Sequence, residues 1–246
     1  MKDYQPAMSF GKEVAAGDPY RLRGDEDDTV AFLRDLAGEG PALELAVGTG
    51  RIARPLAATG VRVDGIDISQ AMVDVLRTQP GGDQVAVTMG NFADVPVPGT
   101  YRLIYLVYNT IHNLLNQDDQ VRCFENVAEH LTDDGVFVVE ALTHESMHLV
   151  NDQYVHAQSV EVKQVWLDVA RYDPVTQLLE ESHVSLTDKG VRLFPIVTRH
   201  IWPAEMDLMA RIAGLRLRER FGGWDRSPYT AHSRNIISVY EQDAGG

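Results

Sequence analysis

Between Pro41 and Leu142, short apolar runs alternate with amphipathic stretches, and this alternation constrains the fold more than any other feature. The runs ALELAV, VRVDGID, VAVTMG, YRLIYLVY and GVFVVEAL have the length and content of strands. YRLIYLVY is apolar nearly throughout, as suits a strand buried on both faces of a parallel sheet. Between the runs lie RIARPLAATG, closed by Gly60; SQAMVDVLRTQ, with Ser69 placed to cap it; and DDQVRCFENVAEHL, with Val121, Phe124, Val127, Ala128 and Leu131 at core spacing. Strands and helices in alternation need right-handed crossovers, which give an open α/β sheet wound on both faces.

The flanks read differently. Residues 1–40 form a charged N-terminal cap in which DTVAFLRDLAG is a helix, with Val30, Leu33 and Leu36 on one face, Asp27 or Asp28 as cap and Gly38 as stop. Residues 41–150 are the ligand-binding core. Residues 151–202 change to antiparallel grammar: segments near 158–172, 176–187 and 190–201 are divided by Asp173-Pro174 and Asp188-Lys189-Gly190, which predicts an inserted three-stranded meander over the ligand edge. Residues 203–246 close the chain with the helix PAEMDLMARIAG, opened by Pro203, and the strands LRLRERFGG and NIISVYE. Together these make one domain, with a mostly parallel sheet of seven strands.

Gly48-Thr49-Gly50 stands between a strand and a helix, where glycine lets backbone approach a ligand closely. Gly48, Gly50 and Ala53 also fit the dinucleotide fingerprint, and Asp67 follows at about the twenty residues expected of a ribose-binding acid. An NAD-dependent oxidoreductase is therefore one reading of this loop.

The surrounding residues favour another. Glu44-Leu-Ala-Val-Gly48-Thr-Gly50, Gly65-Ile-Asp67-Ile-Ser69 followed by Ala71-Met72, Gly90-Asn91-Phe92-Ala93-Asp94, Asn109-Thr-Ile-His112-Asn-Leu114 and Leu131-Thr-Asp-Asp-Gly135 occur in an order that resembles class I S-adenosylmethionine-dependent methyltransferases. The resemblance spans residues 40–142 and implies a Rossmann-like fold with S-adenosylmethionine as cofactor. It places Glu44, Ala46, Gly48, Thr49, Gly50, Asp67, Ile68, Asn91, Phe92 and Leu106 around that cofactor. Asp67 would accept both ribose hydroxyls, Asn91 would meet the adenine amine, and Phe92 would shield the adenine face. The sequence departs from the family at Asn91, where an acid is usual, and at Asp133-Asp134, which replace Pro-Gly.

His112 lies where such enzymes hold the transferred methyl, which makes it either a general base or an orienting group. Tyr20, Asn109, His144 and Trp224 are candidate acceptor contacts. The meander and N-terminal cap resemble those of small-molecule N-methyltransferases, so a small-molecule acceptor, such as an amino sugar or other natural product methylated on nitrogen or oxygen, is expected. A cofactor-binding protein without catalysis is the remaining alternative.

Composition narrows the partners. A formal net charge of −14 repels phosphate backbones and anionic lipid, so neither nucleic acid nor membrane is expected. No N/D-P-P-Y/F/W segment follows the fourth strand, which counts against DNA bases as acceptors. Cys123 is the only cysteine, and packs on a helix in this reading. No signal-like or membrane-spanning run is seen, so a cytoplasmic protein is expected. His144-Glu-Ser-Met-His148 matches the zinc-protease pattern H-E-x-x-H, but it falls just after a sheet strand rather than on a protease helix and would need a third ligand, so no metal is expected.

Overall fold

The computed structural model describes residues 1–5, 8–11, 24–142 and 149–243. Its main sheet has seven strands in the order β3–β2–β1–β4–β5–β11–β10. These are β1 (Ala42–Leu45), β2 (Val63–Asp67), β3 (Ala86–Met89), β4 (Tyr101–Leu106), β5 (Leu131–Leu142), β10 (Leu215–Phe221) and β11 (Asn235–Gln242). Only β11 runs against its neighbours. The order reverses between β1 and β4, and such a switch point opens a crevice at the carboxyl ends of the two strands.

Successive residues of the central strands enter opposite cores, as the twofold period of a strand requires. Leu43, Ile104, Leu106, Phe137 and Val139 pack on one face, against Phe124 and Val127 of α4 (Gln117–His130) and Met206 and Met209 of α5 (Pro203–Ile212). Ala42, Leu103, Tyr105, Val136 and Val138 pack on the other. There they meet Phe32 and Leu33 of α1 (Glu26–Ala37), Leu56 of α2 (Ala53–Ala58) and Leu76 of α3 (Gln70–Thr78). Ser69 caps α3 by accepting from the Met72 amide at 3.2 Å, and Asn116 caps α4. The first helix begins a turn earlier than expected. Asp27 and Asp28 lie inside its first turn, where carboxylates meet the positive end of the helix dipole, and neither is its cap. Cys123 is fully buried, and burial pushes its thiol up to about 12.

The insert has four antiparallel strands where the sequence suggests three: β6 (Gln153–Val160), β7 (Gln164–Asp173), β8 (Leu178–Thr187) and β9 (Gly190–Arg199). The segment near 158–172 is the end of one hairpin strand and the whole of the next. Its turn, Glu161-Val162-Lys163, contains no Gly, Pro, Asn or Asp, so the chain reverses without the usual punctuation. One face of this sheet packs toward the ligand edge of the main sheet. Phe194 of β9 and Trp166 of β7 cluster with Met72 of α3 and with Phe10. Ser69 Oγ donates to the Phe10 carbonyl at 2.6 Å, and Ser9 Oγ donates to the Pro195 carbonyl at 2.8 Å. Residues 8–11 thus lace the insert to the end of β2.

Candidate cofactor and acceptor site

The loops after β1 and β4 hold the least relaxed backbone near the switch point. Ala46 has φ 56°, followed by Gly48 at 55° and Gly50 at 74°; Tyr108 and Asn109 have φ 63° and 60°. A non-glycine residue in this region costs on the order of 1–3 kcal/mol, and such strain persists only where surroundings impose it. Here the imposing groups are visible. The Tyr108 amide donates to the buried Glu140 carboxylate at 2.7 Å, and the Arg51 guanidinium lies 3.3 Å from the Tyr108 ring centroid. Arg51 also pairs with Glu26 at 3.0 Å, tying α1 to the glycine loop and the β4 corner.

Asp67, at the end of β2, accepts from the Gly48 amide and from the Ser69 amide, both at 2.7 Å. One carboxylate thereby joins the glycine loop to the cap of α3. Burial raises its pKa, and the Ser69 and Gly48 amides oppose that rise. The next side chain, Ile68, is 68% exposed, an apolar surface standing beside the acid. A Cβ on Gly48 would meet nothing nearer than the Ala46 carbonyl at 4.0 Å, so the loop backbone faces open space.

Glu44 lies beneath this loop and is only 3% exposed. Tyr105 Oη donates to it at 3.1 Å. Burial pushes its carboxyl up to about 8, against the opposing pull of Arg51, the Tyr105 hydroxyl and the Ala53 amide. Asn91 Oδ1 accepts from the Ala93 amide at 3.0 Å, which shapes the turn after β3, and Phe92 packs against the core beside it. Thr49 is half-buried in the glycine loop.

At the end of β4, His112 is 1% exposed within a 3-10 turn, Thr110–Asn113. Its ring stacks on His200 at 4.5 Å, and His200 meets Tyr172 edge-on at 6.3 Å. Burial, then the charges of His200 and Arg199, hold the His112 pKa well below 6.5, so the ring is neutral. His112 Nε2 and Asn109 Oδ1 are buried with no hydrogen-bond partner among the described residues. Buried polar atoms are rarely left so, and two at the switch point mark a place for a polar ligand.

The sequence candidates therefore divide. Glu44, Ala46, Gly48, Thr49, Gly50, Asp67, Ile68, Asn91 and Phe92 gather at the ends of β1, β2 and β3, with Asn109 and His112 opposite them at the end of β4. Leu106 is fully buried in the core at the end of β4. Trp224 is 6% exposed and lies in the other core, edge-on to Phe32 at 5.4 Å, where it packs α1. Tyr20, His144 and the H-E-x-x-H segment fall outside the described residues. Arg51, Glu140 and His200 were not expected from the sequence. Arg51 directly follows the glycine loop and so carried a signal; Glu140 and His200 reach the site only through tertiary packing.

Residues 42–135 match the methyltransferase domain family. The chain is similar to the CcbJ methyltransferase of Streptomyces caelestis: 38% identical, covering 94% of this chain and 92% of that one, with a TM-score of 0.86. It is 27% identical to the cypemycin N-terminal methyltransferase of a Streptomyces species, over 87% of each chain. Its fold is shared with the amino pentose methyltransferase CalS10 of Micromonospora echinaspora at 18% identity, over 93% and 94% of the two chains, with a TM-score of 0.67. These likenesses set aside the nicotinamide reading of the glycine loop and the non-catalytic one. The chain belongs to the class I S-adenosylmethionine-dependent methyltransferases.

Proposed function

We propose that this chain transfers a methyl group to an amine nitrogen of a small natural product. The observation that carries this is His112, which lies at the switch point, is held neutral by burial, and whose buried Nε2 has no hydrogen-bond partner among the described residues. A hydroxyl acceptor must lose its proton as it attacks and needs a base of suitable pKa. An amine in its unprotonated form attacks through its own lone pair, and the ammonium formed releases its proton to water after transfer, so no base need act in the transition state. A strongly depressed imidazole is a poor base but a good orienting group, and this suits nitrogen. The similarity to an enzyme named for methylating an N-terminus points the same way.

S-adenosylmethionine, when bound, supplies a methyl carbon made electrophilic by its sulfonium. The chain's own residues do the rest. Asp67 would accept the ribose hydroxyls while keeping Gly48 and Ser69 in place. Ile68 and Phe92 would bracket the adenine, Asn91 would donate its amide to the ring edge, and the open backbone at Gly48-Thr49-Gly50 would take the methionine portion. Glu44 would fix the loop from below. Asn109 and His112 would orient the acceptor nitrogen, and the insert with residues 8–11 would exclude water, so that catalysis rests chiefly on positioning.

A screen of small amines, each paired with its hydroxyl counterpart and followed by release of S-adenosylhomocysteine, tests this. Turnover confined to amines is expected. Turnover on hydroxyls with the paired amines inert would overturn it.

A further inference from the structure

Residues paired across strands point to the same side of a sheet, so the register of the insert sorts its side chains into two faces. One face carries Trp166, Asp168, His183 and Phe194 and packs beside α3 and Phe10. The other carries three rows of four residues in register. The row Val160, Val165, Leu186 and Val191 is wholly aliphatic, and so is the next, centred on Leu167 and Val184. In the third, which runs from Val155 to Pro195, only Ser182 is polar. The burial is the reverse of what this chemistry would favour. Asp168 is buried against the molecule, while Val155, Val160, Val191 and Leu193 on the aliphatic face are 62–74% exposed.

A sheet is stable when its apolar face is covered by a second layer, and among the described residues the two aliphatic rows have none. Charge marks the limits of the patch. In the row beyond Val155, Arg171 pairs with Glu180 at 2.6 Å, and Glu180 also takes the Met1 ammonium. At the opposite end stand the turns that hold Lys163 and Asp188-Lys189. An aliphatic centre with a charged rim is the composition of a protein interface. None of the twelve central side chains is charged, in a chain of formal net charge −14. Such a surface gives a partner of opposite sign nothing to read, but it matches a second copy of itself, as a twofold interface requires. Its size is also sufficient. Four strands about 4.8 Å apart and three rows about 6.7 Å apart make a face of roughly 19 by 20 Å. Two such faces stacked with their side chains interdigitated remove on the order of 1,000 Å² from water, which reaches the range of specific interfaces.

We propose that two copies of this chain dimerise through the outer faces of their inserts, sheet on sheet about a twofold axis. Each copy supplies the layer that the other insert lacks, and so braces the wall that holds Trp166 and Phe194 beside α3. The inference is independent of which atom receives the methyl group.

Two measurements test it. Light scattering after size-exclusion chromatography reads the assembly, and the wild-type chain at micromolar concentration should run at twice the monomer mass. Leu193→Lys and Val155→Lys put an ammonium on the open part of the face, where a single copy leaves it in water and a stacked pair must bury it. Each should raise the dissociation constant about 100-fold or more, while S-adenosylhomocysteine affinity stays within about twofold. A monomeric wild type overturns the proposal. So does a dimer that both variants leave intact, which would assign the contact to another surface. The second measurement needs no variant. With valine and leucine methyls labelled in the wild-type chain, a soluble gadolinium chelate should leave Val160, Val191 and Leu193 sharp. It should broaden Val175, which is 89% exposed in the turn between β7 and β8. Equal broadening of all four overturns the stacked faces.

Discussion

Single side chains at this site each serve two elements, and their substitution should show both roles. Asp67 holds the Gly48 and Ser69 amides as well as facing the ribose position. Asp67→Ala should weaken S-adenosylhomocysteine binding by about 2–3 kcal/mol, the scale of bonds to a charged partner. It should also lower the melting temperature of the free protein, since two amides lose their acceptor. Calorimetry and a thermal melt read the two effects separately. Glu44 gives a pH signature. Its carboxyl is raised from 4.5 to about 8 by burial, so between those values the folded state binds more protons than the unfolded state. Its contribution is therefore full below pH 4.5 and is lost as pH rises toward 8. Glu44→Gln, which keeps an acceptor for Tyr105, should match wild type near pH 5 and exceed it by about 1–3 kcal/mol near pH 8 in urea unfolding. For His112, a ring kept neutral predicts that His112→Ala raises the acceptor KM with a milder loss of kcat and leaves the pH–rate profile in place. A loss of about 100-fold in kcat together with the acidic limb would make it a base.

At the scale of elements, a buried cation helps to hold the insert. Arg199 at the end of β9 bonds to Glu205 of α5 at 2.8 Å, to Gln177 at 2.7 Å and to Gln120 of α4. Gln120 in turn donates to the Ile111 carbonyl, in the turn that carries His112. Burial alone would raise the Glu205 pKa, but the bonds from Arg199 and Gln177 hold it below the usual carboxylate value. Removing the guanidinium strands a part-buried carboxylate, so Arg199→Ala should cost about 3 kcal/mol and loosen β9 and the His112 turn together. Hydrogen exchange localised to those two segments would show this. Much of the element plan was legible in the sequence, because alternating patterns and glycine or proline punctuation are local. The β1–β5 order, the Ser69 cap, the helix from Pro203 and the closing strands follow from such signals. What failed lacked a local signal. The Glu161-Val162-Lys163 turn has no turn residue. His200 and Glu140 come to the site through strand register, which no short window of sequence contains.

For the whole molecule, the seven-stranded sheet opens a crevice at its switch point, and the four-stranded insert packs against α3 and residues 8–11 beside that edge. The first is held by the β1, β2 and β4 corners around Asp67, Arg51 and Glu140; the second by Phe10, Phe194 and Arg199. No helix among the described residues is long and apolar enough to cross a membrane. The direct test is to incubate the enzyme with S-adenosylmethionine labelled with carbon-13 in its methyl group and an amino alcohol accepted in the screen, then assign the product methyl by heteronuclear NMR. Correlation of the labelled carbon to nitrogen-bearing positions only is the predicted result; a labelled methyl on oxygen, with the amine untouched, would contradict it.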